Sequence, residues 1–90
     1  MSVEIVFDAA KSAVNLAKHG VSLGDAALME WDTVWLRPDR RRDYGELRFV
    51  GIGYTGLRLF CVVFTDRGEQ RRIISLRRAN SREVEGYAQT

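Results

Sequence analysis

The segment Arg71-Arg72-Ile73-Ile74-Ser75-Leu76-Arg77-Arg78 encloses a short apolar core between two pairs of arginines. Read as a strand, its period of two places Arg71, Ile73, Ser75 and Arg77 on one face and Arg72, Ile74, Leu76 and Arg78 on the other. The first face then combines a hydroxyl with two guanidinium groups. A guanidinium is a planar fork of donors that stays charged at every relevant pH and matches phosphate oxygens, so the pattern suits a polyanion. Solvated charges on an edge strand, which discourage pairing with another chain, would give the same pattern. His19 is the one histidine in the chain. Its ordinary titration range near neutrality suits a general acid or base, yet with Lys18 it also stands where a helix C-terminus attracts basic residues. Glu46 and Arg48 share a strand face by parity, which sets a carboxylate beside a guanidinium. That pairing serves chemistry, or is a surface ion pair worth under about 1 kcal/mol.

Length and composition bound what these residues can belong to. Ninety residues make a single domain, 1–90, with a real but modest core. At 46% hydrophobic and 29% charged the chain is globular in composition, and no run approaches the roughly 20 apolar residues that span a bilayer. The start Met1-Ser2-Val3-Glu4-Ile5 has neither a basic flank nor a long apolar region, so a cytoplasmic protein without a signal peptide is expected. The single cysteine, Cys61, lies between Phe60 and Val62 and reads as a small buried hydrophobe. One cysteine and one histidine make no ligand cluster, so neither metal nor cofactor is expected. Charge is unevenly spread. Residues 1–36 set two lysines against Glu4, Asp8, Asp25, Glu30 and Asp32, a balance of −3, whereas residues 67–82 set six arginines against Glu69, a balance of +5. Such asymmetry is the footprint of a surface that meets phosphate or an acidic partner protein. Of fourteen basic residues only Lys11 and Lys18 are lysine, which favours forked contacts over diffuse attraction.

The elements that position these groups can be read in order. Val3 to Phe7 is apolar and β-branched enough for a strand, and Asp8 caps a helix over Ala9 to Lys18 that ends at His19-Gly20. Ala10, Ala13, Val14 and Ala17 recur at the helical period and are expected to be its buried stripe. Ser22 with Asp25 forms a capping box for a second helix that buries Leu23, Ala26, Ala27 and Trp31. Thr33 to Arg37 is a short strand stopped by Pro38, and Arg40 to Gly45 an exposed, mobile loop. Glu46 to Tyr54, Leu57 to Thr65 and Gln70 to Arg78 then form a meander with turns at Thr55-Gly56 and Asp66-Arg67-Gly68. Asn80 caps a last helix with Glu83 three residues on, whose apolar face is Val84, Tyr87 and Ala88. The order β-α-α-β-β-β-β-α predicts an α+β domain: an antiparallel sheet with helices packed on one face.

In this order and spacing, Phe7-Asp8 with Lys11 and Asn15, Lys18-His19-Gly20-Val21-Ser22, Gly45-Glu46-x-Arg48, Gly51-x-Gly53 and Arg72-Ile73-Ile74-Ser75-x-Arg77 resemble the signatures of the BrnT toxins. These are the ribonuclease half of a bacterial type II toxin-antitoxin pair, and the likeness runs from about residue 5 to about 87. It implies a RelE-like fold, cleavage of RNA that arrests translation, and a cognate BrnA-like antitoxin that binds DNA. The chain departs from the family's pattern in two places: Leu76 replaces the usual alanine, and Gly86 and Ala88 flank Tyr87 where more charge is usual. Gly86 weakens the last helix by about 1 kcal/mol against alanine and leaves Tyr87 less firmly held.

RNA cleavage without metal needs a base for the 2′-hydroxyl proton, cations around the phosphate and an acid for the leaving oxygen. On the resemblance, Glu46 or His19 is the base or acid, Arg48 and Arg77 stabilise the phosphate, and Lys18 assists. Arg72, Arg78 and Tyr87 are RNA-binding candidates. By parity Arg72 faces away from Arg77 unless a bulge intervenes, and Tyr87 either stacks on a base or packs Val84 against the sheet. A non-catalytic RNA- or protein-binding module is the alternative.

Overall fold

The computed structural model describes residues 3–90, so Met1 and Ser2, part of the leader reading, lie outside it. Five strands form one sheet in the order β1-β5-β4-β3-β2: β1 is Glu4–Val6, β2 Trp35–Pro38, β3 Phe49–Thr55, β4 Arg58–Arg67 and β5 Gln70–Arg78. Strands β3 to β5 are the expected meander and β2 the short strand expected before it, all antiparallel. Two-residue turns join β3 to β4 and β4 to β5, each opening on a left-handed glycine, Gly56 or Gly68. The sheet as a whole is mixed, because β1 runs parallel to β5 over Gln70 to Arg72. A pairing between chain ends leaves no local trace in sequence, and it corrects the purely antiparallel expectation.

Helices also occupy more than one face. Helix α1, Ala9–His19, starts on Asp8, whose carboxylate accepts from the Lys11 amide, and ends on left-handed Gly20. The segment expected as a second α-helix is a 3₁₀ helix, Leu23–Leu28, entered as predicted with the Ser22 amide donating to Asp25. It buries Leu23, Ala26 and Met29 against Val62, Phe64, Ile73 and Leu76 on one face of the sheet, while Ala27 stays exposed. A further short 3₁₀ turn, Trp31–Thr33, leads into Val34 and β2. Val34 crosses tightly over β3: a Cβ on Gly53 would stand 2.5 Å from Val34 Cγ2, and one on Gly51 2.7 Å from Val34 Cγ1. The Gly51-x-Gly53 pair is thus room for a crossing chain. Helix α2, Ser81–Ala88, carries the predicted Asn80–Glu83 capping box and packs Tyr87 on the opposite sheet face, against Val50, Ile52, Cys61 and Val63. Among the described residues no helix is long and apolar enough to cross a membrane.

Helix α1 inverts its predicted polarity. Ala10, Ala13, Val14 and Ala17 face solvent, and its buried residues are Ser12 and Asn15. Beyond Arg72 strand β5 has no strand on its outer side, so its edge must be satisfied by something else. Asn15 supplies it. Its Nδ2 donates to the carbonyls of Leu76 and Val21, both at 2.8 Å, and its Oδ1 accepts from the Leu76 amide at 3.2 Å. Ser12 Oγ accepts from the Leu23 amide at 2.9 Å. The helix is pinned to the sheet edge by polar groups, which outweigh an apolar stripe made of alanines with little area to bury.

Candidate functional site

A register shift in β5 decides which arginines meet. Phe64 opposes Ile73 while its neighbour Val63 opposes Ser75, so Ile74 is the extra residue of a β-bulge. Past the bulge the alternation resumes one step out of phase. Arg71 and Ile73 point to the 3₁₀ side with Leu76, whereas Arg72, Ser75 and Arg77 share the other face. This corrects the parity reading, which separated Arg72 from Arg77. Arg71 is fully engaged on the covered side: it forms a two-pronged pair with Asp66 at 2.8 and 3.0 Å and lies over the Phe64 and Trp31 rings.

On the face that α2 covers in part, one row runs across β5, β4 and the entry to β3. The Arg48 carbonyl accepts from the Asp39 amide, Thr65 donates its hydroxyl to the Leu47 carbonyl at 2.7 Å, and Thr65 opposes Arg72. Continuing the β3–β4 register past Phe49 and Phe64 sets Arg48 opposite Thr65. Arg48 and Arg72 therefore flank Thr65 with about 10 Å between their backbones, a gap that two arginine side chains can span. Glu46 lies beside this row. Its Oε1 accepts from Arg67 Nη2 at 2.7 Å, and its Oε2 is 3.8 Å from Arg48 Nε. The Arg67 hydrogen bond foremost, and the charges of Arg67, Arg48 and Arg72, hold the Glu46 carboxyl below its ordinary range. The Arg48 guanidinium stacks 4.0 Å from the Tyr44 ring centroid, and its buried Nε has no hydrogen-bond partner.

Lys18 and His19 line a separate groove. With Lys11, Val14 and Asn15 on α1, they wall a groove of about 270 Å³ whose floor is Ile74 and Ser75. The bulge thus brings Ser75 to the helix that carries the two basic candidates. Ser75 also borders a smaller cavity of about 120 Å³ that contains Arg77 and Glu83. There Arg77 is already engaged: Nη1 and Nη2 donate to the two Glu83 oxygens, each at 2.9 Å. That pairing raises the Arg77 guanidinium and lowers the Glu83 carboxyl from their ordinary values. Beneath them Cys61 is buried, and desolvation pushes its thiol up to about 11, which fits the hydrophobe expected from sequence.

The remaining candidates stand apart. Arg78 opposes Phe60 and borders a separate depression with Tyr54, Arg58 and Val84. Tyr87 donates its hydroxyl to the Thr33 carbonyl at 3.0 Å and sets its ring edge-on to Tyr54, so it is well held despite Gly86. The Arg40–Gly45 loop is anchored: buried Asp39 accepts from Arg41 Nε and Nη2 and from the Tyr44 hydroxyl. Asp39, read from sequence only as part of the Pro38-Asp39 stop to the strand, has its carboxyl held far below the usual range by those Arg41 bonds. Only its position after Pro38 hinted at a turn.

The family model described as the ribonuclease toxin BrnT of type II toxin-antitoxin systems matches residues 7–83. The chain belongs to the BrnT family. It is thereby a ribonuclease toxin of a system whose other half is an antitoxin. No curated protein matches it. Within this member the matched span contains both sides of the site, from Lys11 on α1 to Arg77 on β5, together with Glu83, and leaves Tyr87 outside.

Proposed function

We propose that this BrnT-family chain is a metal-independent endoribonuclease of RelE-like fold, one domain over residues 1–90, that cuts RNA and so arrests translation. The observation that carries the reading is the row Arg48–Thr65–Arg72, two partly exposed arginines either side of buried Thr65, with ionised Glu46 beside Arg48, together with the Lys18–His19 groove along α1. Arg48 and Arg72 grip the non-bridging oxygens of the scissile phosphate as its charge grows. The 2′-hydroxyl oxygen bonds to phosphorus as the bond to the 5′ oxygen breaks, leaving a cyclic phosphate. Glu46, kept ionised by its arginines, takes the 2′ proton, and its lowered proton affinity makes it a modest base. His19, assisted by Lys18, hands a proton to the departing 5′ oxygen. Arg77, bound by Glu83, contributes field and structure.

A cognate BrnA-like antitoxin neutralises the toxin by laying an acidic segment over the same arginine face, and the association slows as salt screens the charges. The deciding experiment incubates purified protein with labelled RNA in a chelator. Cleavage to cyclic-phosphate ends is expected, with Arg72→Ala and Arg48→Ala each slowing it by about a hundredfold. RNA that binds in a salt-dependent way yet stays intact for hours would establish the binding module instead. The internal pairing of Arg77 and of Glu46 favours that second reading.

A further inference from the structure

The arginine face does not stop at Arg48 and Arg72. Two residues along the strands a second row crosses the sheet: Arg37 on β2 opposes Val50, Val50 opposes Val63, and Val63 opposes Ser75. The cavity of about 120 Å³ lies on this row, walled by Arg37, Arg41, Ser75 and Arg77. Its two neighbouring carboxylates are already taken, Asp39 by Arg41 and Glu83 by Arg77, each through two hydrogen bonds. Arg37 makes no ion pair among the described residues. Its charge nevertheless reaches inward, since it opposes the effect of burial on the Cys61 thiol at the cavity floor. The result is a small concave site with an uncommitted guanidinium, a hydroxyl and a surplus of positive charge. An anion with several acceptor oxygens satisfies such a site.

We propose that Arg37, with Ser75 and the outer edge of Arg77, forms a second phosphate subsite for the RNA phosphate adjacent to the scissile one. The proposal rests on the RNA-cleaving reading and specifies how the substrate lies. The two rows are separated by about 6.7 Å along the strands, two residues of rise. That step is comparable with the spacing of neighbouring phosphates in a single strand whose bases are splayed apart, the form in which RNA is usually read. The backbone of the RNA therefore runs along the strands, from the row of Arg48 and Arg72 past the bulge to the row of Arg37 and Ser75, with α1 beyond β5 on one side.

Binding of a 2′-deoxy oligonucleotide, which lacks the attacking hydroxyl and stays intact, is measured by fluorescence anisotropy across a salt series. Arg37→Ala is expected to weaken binding several-fold and to make the slope of log affinity against log salt shallower by about 0.7, one phosphate contact on a single strand. Arg37→Lys keeps the slope. Arg58→Ala, at the distant β3–β4 turn, changes neither. An Arg37→Ala protein with wild-type affinity and slope, beside an Arg72→Ala protein that loses both, overturns the subsite and leaves the RNA face standing. Equal losses for Arg37→Ala and Arg58→Ala overturn it too, since they show general attraction. Unchanged binding in Arg48→Ala and Arg72→Ala would instead bring down the RNA reading itself.

Discussion

Replacing Asn15 by alanine tests the attachment of α1 directly. The substitution removes two donated bonds and one accepted bond that join the helix to Leu76 and Val21. Leu76 is 2% exposed, so its freed amide and carbonyl have no water to turn to, whereas the half-buried Val21 carbonyl can be hydrated. An unpartnered buried polar group costs about 1–3 kcal/mol, so two of them, taken in the lower part of that range, amount to about 2–4 kcal/mol. For a domain of this length each kcal/mol moves the melting temperature by about 4–8 °C, so a fall of about 10–25 °C is expected by circular dichroism. Ser12→Ala, which loses only the bond to the Leu23 amide, should fall by about 4–8 °C, the equivalent of roughly 1 kcal/mol. Below its melting point Asn15→Ala should cut RNA slowly while binding it well, because Lys18 and His19 drift and the arginine rows stay. An Asn15→Ala protein melting within about 4 °C of wild type would refute the clamp, leaving α1 held by some other contact.

Three further outcomes follow from packing and titration. Gly53→Ala drives a Cβ to 2.5 Å from Val34 Cγ2 and should lose about 1–3 kcal/mol in a urea titration. Gly86→Ala meets nothing closer than Trp35 at 3.9 Å and should gain about 0.5–1 kcal/mol of helix propensity, with a loss contradicting the packing of α2. Asp39 and Glu83 have carboxyls held below their ordinary values of 3.8 and 4.5 by Arg41 and Arg77. A folded-state value lower than the unfolded one makes the stabilisation complete above the ordinary range and drains it as pH falls through the folded value. Melting temperature should therefore drop between pH 4 and 2 in the wild type and drop less in Asp39→Asn; parallel curves would contradict the assignment.

Local features were legible and non-local ones were not. The Asn80–Glu83 box, the Asp8 cap, Gly20 and the hairpin glycines are set by residues within a few positions of one another, and each appears where the sequence put it. The catalytic candidates were recognisable by residue type, but their grouping was not. No glycine or proline marks the bulge at Ile74, so counting parity from Arg71 sends Arg72 and Arg77 to opposite faces. Helical periodicity located α1 but took its alanine stripe for the buried face. It could not show that a bare strand edge would compete for the helix through Ser12 and Asn15, because that edge exists only once β1 has paired with β5 for three residues and stopped. Arg37 looked like the end of a short strand until its register set it opposite Val50.

Because α1 is fastened by amide and hydroxyl groups, its release would uncover little hydrocarbon. Heat-capacity change and denaturant sensitivity both scale with the area exposed, chiefly the apolar area. Opening of this helix would leave a faint mark on either, against the large one left by melting of the sheet. Opening of the half of the site that carries Lys18 and His19 would instead be read by amide hydrogen exchange at Leu76 and Leu23, whose N–H groups the helix side chains hold.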